Sequence, residues 1–390
     1  LDSTNKTDEP RFSLYWEAYG AGKRSTTLDL SDPTDLTVFL SLVDDCDVLI
    51  ESFDPGRTHL LGIDQVTLRE RNPQLIYASI TPYGQSGPKA QWPASDLTIE
   101  AAGGRLAIQG DQDRPPVPVG FPQASLHGGA QAAADIVIAL NERTHSGLGQ
   151  YLDLSLQEAM WWTLMAAQGT PVCLGTNPPG SGDERATAFV PQGIRSIPAK
   201  DGWVGFCTIT GQQWQDFCSM IGAEDWIGND DLTNFHTRME RRDEVWPRIW
   251  AFTKERTVQE LVDLASAFRI PVGPIGTGDK IASFDHFTER NVFIDNPHGF
   301  TQPRPPYQFS TTQLASLRPA PTLGQHNGYD KRTQQPPTLG HNTHKPLEGL
   351  KVVDLSAFWA GPVATNLLRV LGADLIKICL LYTSPSPRDS

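Results

Sequence analysis

Short apolar runs separated by amphipathic stretches mark the first part of the chain. Three runs have the length and composition of buried strands: TTLDL (26–30), DVLIESF (47–53) and QLIYASI (74–80). Asp32 and Pro33 supply an N-cap and a proline in the first turn, which predicts a helix that continues through Leu42. A further helix is predicted over residues 64–71. Short apolar strands that alternate with helices are typical of a Rossmann-like α/β fold, in which helices cover both faces of a parallel sheet.

The pattern changes in the middle of the chain, where proline and glycine become frequent and predict a linker. Beyond it, the segment GWVGFCTI, a helix around Trp214, a helix over 240–253 and a capping box at Thr257–Glu260 indicate a smaller α+β domain. The predicted organisation is a large α/β domain at 1–170, a linker at 171–200, the small domain at 201–300, a proline-rich return segment and linker at 301–346, and a fresh βαβ unit at 347–378.

Composition narrows the class of protein. The chain has 390 residues, of which 39% are hydrophobic and 20% are charged, as in ordinary globular proteins. The net charge of −13 argues against nucleic-acid binding, which needs a basic surface. No apolar run approaches the roughly 18–20 residues of a membrane span. The five cysteines are scattered without a CxxC pair, which is typical of reduced cytoplasmic thiols and not of a zinc site, so we predict no metal.

The stretch GFPQASLHGG (120–129) is a candidate for chemistry, because a small-residue turn before a helix often carries a nucleophile. Ser125 and His127 are two residues apart and do not face each other on a helix, and a nucleophilic serine also needs an oriented base. The preferred interpretation is that Ser125 helps to cap the following helix and that His127 is a partly exposed turn residue. Asp96 could be a base, or a helix N-terminal carboxylate stabilised by the helix dipole.

Other local motifs give little support to a specific reaction. The sequence contains no GxGxxG, P-loop, HExxH or GxSxG pattern, so nucleotide, zinc-protease and hydrolase-elbow sites are not indicated. The glycine pairs at 103–104 and 128–129 suit close packing and ligand approach equally well.

A series of short motifs follows one order along residues 11–378. They are AGKRSTTLDL, DVLIESFDPG, LLGI, NPQLIYASITPYG, SDLTIEAAGG, HSGLGQYLDLSLQE, KDGWVGF, IPVGPI and finally LEGLKVVDLS with AGP and GADLIKI. Each motif alone is weak, but the ordered set resembles the class III CoA-transferase family, which shares its fold with the acyl-CoA racemases. The resemblance implies an interlocked-ring architecture, in which two subunits link like rings.

The resemblance implies a reaction that depends on a carboxylate. An aspartate attacks the acyl-CoA thioester to give a mixed anhydride, and CoA thiolate then forms an aspartyl-CoA thioester that passes CoA to the acceptor acid. The usual setting is G-x-P-x-A-D-L-x-x-G, which this chain matches at Gly120, Pro122, Ala124, Leu126 and Gly129. Ser125 occupies the aspartate position, so the resemblance implies that this copy lacks the nucleophile.

The resemblance also places residues for CoA, which is expected as a substrate and not as a covalently bound cofactor. Leu28 and Phe53 keep apolar wall positions, and Phe358, Trp359 and Ala360 would line the CoA channel. Trp359 has an alternative interpretation as the core of a tight turn. Four polar or cationic family positions are changed here: Ser31, Ser52, Asp54 and Leu60. These changes imply weakened CoA binding, for which Lys23, Arg24 or Arg57 could partly compensate.

The βαβ unit at 347–378 belongs at the N-terminus of a family copy. The resemblance therefore implies a tandem CoA-transferase that is truncated at both ends, and residues 379–390 (CLLYTSPSPRDS) resemble a translated sequencing adapter. We expect the fragment to be inactive alone, with the catalytic aspartate in the second repeat. The alternative is that the first repeat is a non-catalytic structural or regulatory half. A racemase is less favoured, because Ser95 stands where racemases have a histidine before Asp96.

The expected partners are an acyl-CoA, a small carboxylic acid and an interlocked repeat, either within the chain or in a homodimer. Neither nucleic acid nor a membrane is expected. We also expect residues 347–378 to dock at the edge of the sheet formed by residues 26–80, which would bury the VVDL and LIKI strands.

Overall fold

The computed structural model describes residues 14–108, 115–163, 197–208, 210–234, 237–238, 241–312, 315–328, 345–356 and 360–378. These residues divide into two units. The parallel-sheet unit contains the described residues between 28 and 163 and between 345 and 378. The second unit contains those between 14 and 27 and between 197 and 328.

A parallel sheet forms the centre of the parallel-sheet unit. Its strands β1 (Val48–Glu51), β2 (Ile76–Thr81) and β3 (Tyr151–Ser155) lie in that order, with Leu49 opposite Tyr77 and Tyr77 opposite Tyr151. The helices before, between and after these strands are α2 (Pro33–Asp44), α3 (Arg57–Leu60), α4 (Gln65–Arg71), α5 (Asp96–Ala102), α6 (Gln123–Ser146) and α7 (Leu156–Thr163). The prediction of an α/β fold with a parallel sheet is confirmed.

Local sequence explains where these helices begin. The Asp32 carboxylate accepts hydrogen bonds from the backbone N–H groups of Thr34 and Asp35, and Pro33 occupies the first turn, as the sequence predicts. Asp64 caps α4 in the same way through Val66 N and Thr67 N. Each carboxylate satisfies N–H groups that have no partner within the helix and also interacts favourably with the helix dipole.

Each face of the sheet has its own apolar core. On one face, Tyr77 packs with the buried side chains of Val43, Ile63 and Leu68, which come from α2, α4 and the turn between α3 and α4. The other face is covered by α5, α6 and α7 through a second cluster: Ile99, Ala124, Ala132, Leu154, Leu156 and Met160. A parallel sheet that is buried in this way requires apolar residues on both faces, which explains the continuous apolar runs in the sequence.

The strand predicted at 26–30 is wrong. These residues form no strand: Thr26 and Thr27 are hydrogen-bonded to a turn near residue 327, and Asp29 N donates to the Asp35 carboxylate. The Asn327 amide oxygen accepts from Thr26 Oγ1 at 3.0 Å and from Thr27 N at 2.9 Å. A side-chain partner therefore replaces the neighbouring strand that a sheet would need.

The second unit is built on a small antiparallel sheet of β4 (Ile197–Pro198), β5 (Trp203–Phe206) and β6 (Val272–Pro274). Its helices are α1 (Leu14–Tyr19), α8 (Gly211–Met220), α9 (Asp230–Thr233), α10 (Arg242–Thr253), α11 (Val258–Ala267) and α12 (Asp285–Glu289), and a hairpin pairs β7 (Phe293–Asp295) with β8 (Thr301–Pro303). The predicted helices around Trp214 and over 240–253 and the capping box at Thr257 are confirmed.

Helix α1 lies near the start of the sequence, and its hydrogen-bond partners in the second unit lie near residues 296 and 321. The indole N–H of Trp16 donates to the carbonyl of Pro321 at 2.9 Å, and the Asn296 amide donates to the carbonyl of Glu17 at 3.2 Å. These contacts join residues that are about three hundred positions apart in sequence.

The βαβ segment near the C-terminus comprises β9 (Lys351–Asp354), α13 (Ala360–Val370) and β10 (Asp374–Lys377). The expectation that its strands join the larger sheet is wrong: β9 and β10 pair with each other, and Val353 and Ile376 are 59% and 58% exposed. The buried Asp354 carboxylate at the end of β9 accepts hydrogen bonds from Ser356, from Thr365 in α13 and from Lys377 in β10. These bonds hold the three elements of the segment together. It contacts α6 instead, where the Asn141 amide donates to the carbonyl of Pro346 at 3.1 Å.

Candidate active site

Ser125 lies in the first turn of α6, and its side chain is exposed. Pro122 is the N-cap residue of this helix, so Gln123, Ala124 and Ser125 carry the first helical N–H groups. The expectation that Ser125 caps a following helix is wrong, because the helix has already begun at Gln123 and the serine lies inside it. For the same reason His127 is a half-buried helical residue and not a turn residue.

Asp96 provides the cap for α6 from another helix. Its Oδ1 accepts hydrogen bonds from Ser125 N and Ser125 Oγ, each at 2.8 Å, and its Oδ2 accepts from Ala124 N at 3.2 Å. Asp96 itself stands in the first turn of α5, whose N-cap is Ser95 in a capping box with Thr98. The sequence predicts that Asp96 is stabilised by the dipole of its own helix, α5. In the structure the carboxylate also lies at the positive end of α6.

A second carboxyl group lies beneath this pair. Glu100 follows Asp96 by one turn of α5 and is 1% exposed, and its carboxyl group lies near the backbone N–H of Gln123. Arg105 Nε lies 3.9 Å from Glu100 Oε2, and Arg105 Nη1 donates to the Gln123 side chain at 3.3 Å. Burial raises the pKa of Glu100, the charge of Arg105 opposes this rise, and the negative charge of Asp96 adds to it.

His127 completes the group of titratable residues around Ser125. Burial lowers its pKa, the positive charge of Arg105 lowers it further, and the negative charge of Asp96 acts in the opposite direction. Sequence reasoning did not identify Glu100 or Arg105, since an isolated carboxylate in a helix and an arginine after a glycine pair carry no local signal of a shared site.

The glycines flanking this site pack helices together. A Cβ on Gly128 would lie 2.1 Å from Leu156 Cδ2, and one on Gly103 would lie 2.8 Å from Met160 Cβ. Gly129 has open space at its Cβ position. Of the two interpretations left open by the sequence, close packing accounts for Gly103 and Gly128.

Three of the residues predicted to line a CoA channel are described, and they belong to different segments of the parallel-sheet unit. Phe53 is exposed and follows β1, whereas Ala360 begins α13 after β9, a strand of the separate two-stranded sheet. Leu28 is half-buried in the segment before α2, which has no regular secondary structure. Phe358 and Trp359 lie outside the described residues. The role of these residues in CoA binding stays a prediction.

A cavity of about 370 Å³ lies elsewhere in the parallel-sheet unit, between β3, α6, α7 and α13. The side chains that line it include Gln131, Asp135, Asp153, Glu158, Trp162 and Leu367. Its three carboxylic residues give the cavity an acidic lining, which does not favour the phosphates of CoA. Ser125 is not among the residues that line it.

The described ranges contain neither a metal-binding cluster nor a membrane-spanning helix. Within them, no cluster of three or more His, Cys, Asp or Glu side chains has the arrangement to hold a metal ion. No helix in the same part of the chain is long and apolar enough to cross a bilayer.

Comparison with known proteins gives a consistent family relationship. The model of CoA-transferase family III matches residues 2–327 and 347–379. A probable CoA-transferase of Mycobacterium tuberculosis is 28% identical over 380 residues, which is 94% of this chain but 47% of that protein. The chain therefore spans about half the length of this relative.

Other relatives are matched over most of their length. The acetyl-CoA:oxalate CoA-transferase of Acetobacter aceti is 30% identical over 316 residues, covering 80% of this chain and 79% of the relative. The crystal structure of a CAIB/BAIF family protein from Brucella suis superposes with a TM-score of 0.70 at 27% identity, covering 80% of this chain and 82% of the other.

Proposed function

The chain belongs to CoA-transferase family III, and from this membership we propose that the whole protein moves CoA between an acyl-CoA and a carboxylic acid. Succinyl-CoA:mesaconate CoA-transferase of Haloarcula hispanica, 29% identical over 328 residues, and the acetyl-CoA:oxalate enzyme are relatives with this type of reaction in their names. Small carboxylic acids of this kind are the acceptors that we propose to test.

We propose that the catalytic aspartate of this reaction does not come from the Ser125 position. A carboxylate can form both an anhydride and a thioester, and CoA transfer passes through each of them. A serine hydroxyl forms an ester and cannot carry CoA as a thioester. The observation that supports this proposal is Ser125 itself, exposed at the start of α6 where the family resemblance implies an aspartate.

We further propose that a second family copy supplies the aspartate and interlocks with the first. Two findings support a tandem protein: the family model matches in two stretches, and the Mycobacterium tuberculosis relative is about twice as long as the stretch it shares with this chain. In this arrangement, β9, α13 and β10 form the start of the second copy.

A non-catalytic role for the first copy is the second candidate function. It is favoured by the same serine and by the absence of a cation at Ser31, Ser52 and Asp54, where the family resemblance implies polar or cationic contacts with CoA. An acyl-CoA racemase is disfavoured, because Ser95 is the N-cap of α5 and provides no base next to Asp96.

The test traps the aspartyl-CoA thioester on the full-length protein. The protein is incubated with succinyl-CoA and hydroxylamine, which converts the activated aspartate to a hydroxamate, and peptide mass spectrometry locates the modified residue. We expect the hydroxamate on an aspartate of the second copy, and none in a control without succinyl-CoA. A hydroxamate on any aspartate between residues 28 and 163 contradicts the proposal.

A further inference from the structure

We propose that Ser125 and Asp96 form a nucleophile–base pair that hydrolyses acyl-CoA thioesters. The substrate class rests on the proposed function, whereas the reaction differs from CoA transfer. Asp96 is 29 positions away from Ser125 in the sequence, so their pairing has no local signal. In the fold, the serine Oγ donates to Asp96 Oδ1 at 2.8 Å. This distance is within the range of an activated hydroxyl nucleophile and its base.

The base is held in a defined orientation. Ser125 N and Ala124 N donate to the two oxygens of the Asp96 carboxylate, so the side chain is fixed by the backbone of the helix that carries the nucleophile. A general base must lie within hydrogen-bond reach of the proton that it removes, and a third group normally orients it. Here two backbone N–H groups fill the orienting role.

Three other serine–carboxylate contacts show how the location of the Ser125–Asp96 pair differs. Ser31 and Ser356 bind a carboxylate two residues earlier in the same turn. Ser79 contacts Glu51 from a neighbouring strand, but these side chains are only 2% and 8% exposed and out of reach of a substrate. Ser125 joins two helices and is exposed, so a thioester carbonyl can approach its Oγ.

A positive charge also belongs to this site. The positive charge of Arg105 reaches this site, since it acts on the pKa of both Glu100 and His127. The guanidinium lies 3.9 Å from Glu100, and together with the positive end of the 24-residue helix α6 it offsets the negative charges of Asp96 and Glu100.

The reaction balances without a further reagent. Asp96 takes the hydroxyl proton of Ser125 as Oγ bonds to the acyl carbon, the carbon–sulfur bond breaks, and the proton passes to the departing CoA thiolate. Asp96 then takes a proton from water, whose oxygen attacks the acyl-serine ester, and the proton returns to Ser125 Oγ as the carboxylic acid leaves. Acyl-CoA and water become a carboxylic acid and CoA thiol.

The test measures hydrolysis and transfer in one reaction. Acetyl-CoA or succinyl-CoA is incubated with the chain and with oxalate, and liquid chromatography with mass spectrometry quantifies free CoA and oxalyl-CoA separately. This readout avoids thiol reagents, which would react with the cysteines of the protein. We expect free CoA to form, with Ser125→Ala and Asp96→Asn each lowering its rate by about 100-fold or more.

Thr277→Ala is the matched control, because Thr277 donates to Asp279 as an exposed hydroxyl–carboxylate pair of the second unit. Its rate of CoA release should equal that of the wild type. Ser125→Cys should retain part of the turnover and accumulate an acyl-thioester on the peptide containing residue 125. This variant keeps the test decisive if Asp96→Asn weakens the start of α6.

The outcomes separate this proposal from the proposed function. CoA release that persists in Ser125→Ala at the wild-type rate overturns the Ser125–Asp96 pair, and so does a wild-type protein that releases no CoA. Oxalyl-CoA formed by this chain, in contrast, contradicts the proposal that the nucleophilic aspartate lies in a second copy. An acyl group found on Ser125 in the wild type supports the pair directly.

Discussion

Two arginines flank the stacked rings of Trp214 and Trp226 in the second unit, in very different environments. The Arg238 guanidinium lies 4.3 Å from the centre of the Trp214 ring, is 6% exposed, and donates to the carbonyl oxygens of Leu232, Thr233 and Thr208. Burial lowers its pKa to about 10. Arg248 lies 4.8 Å from the Trp226 ring, pairs with Asp225, and has a side chain that is 40% exposed.

We expect these two arginines to differ in what they contribute to stability. Arg238→Ala should lower the free energy of unfolding by about 3 kcal/mol or more, because it leaves buried carbonyl groups without donors and opens a cavity. Arg248→Ala should cost at most about 1 kcal/mol, as for an exposed ion pair. Urea unfolding followed by tryptophan fluorescence measures both, and equal losses for the two variants would contradict the argument from burial.

In the candidate site, single residues can be predicted from the sequence but the contacts between them cannot. Ser125 could be placed in the family motif from the sequence, and Asp96 could be recognised as a carboxylate at a helix start. Their contact could not be predicted, because it depends on how α5 packs against α6. Glu100 and Arg105 belong to the same group of charges only through that packing.

At the scale of elements, the chain is most predictable where one short segment contains its own start and stop signals. Helix α2 begins at Pro33 because Asp32 caps it, and the apolar runs that become β1 and β2 end at polar or turn-forming residues. The segment at 26–30 has an equally good strand pattern but no neighbouring strand. Strands β9 and β10 form where the sequence predicts them, but they pair with each other. Local periodicity indicates that a segment is a strand and does not indicate which strand it pairs with.

The connection between α6 and β3 depends on a glycine, and it provides a test with an internal control. A Cβ on Gly149 would lie 2.1 Å from the carbonyl oxygen of Leu75, a backbone atom that cannot move without disturbing β2. Gly149→Ala should therefore cost about 1–3 kcal/mol, the usual range for overpacking. Gly129→Ala, within α6 and with open space at the Cβ position, should instead stabilise by about 0.5–1 kcal/mol.

Thermal or urea unfolding followed by circular dichroism compares these two glycine variants. Opposite signs are the expected result, since one added methyl group meets backbone and the other meets solvent on a helix. Destabilisation by both variants would mean that α6 tolerates no change at Gly129, and that its outer face is covered by another part of the protein.

At the scale of the whole molecule, each apolar core found among the described residues lies within one unit. The largest cluster contains Phe217, Trp226 and Leu261 and lies within the second unit, whereas the clusters around Leu68 and Met160 lie within the parallel-sheet unit. Residues without shared partners are expected to act independently on stability. The two units should therefore open separately when one core is weakened.

Leu261→Ala and Leu68→Ala test this independence, because both leucines are fully buried and each lies in one core. Each change should cost about 2–5 kcal/mol, as for other buried leucines. Hydrogen–deuterium exchange with mass spectrometry reports where protection is lost. Leu261→Ala should accelerate exchange in α8, α10 and α11 and leave β1, β2 and β3 protected, and Leu68→Ala should do the reverse. Accelerated exchange in both units with either variant would show that the cores unfold as one cooperative structure.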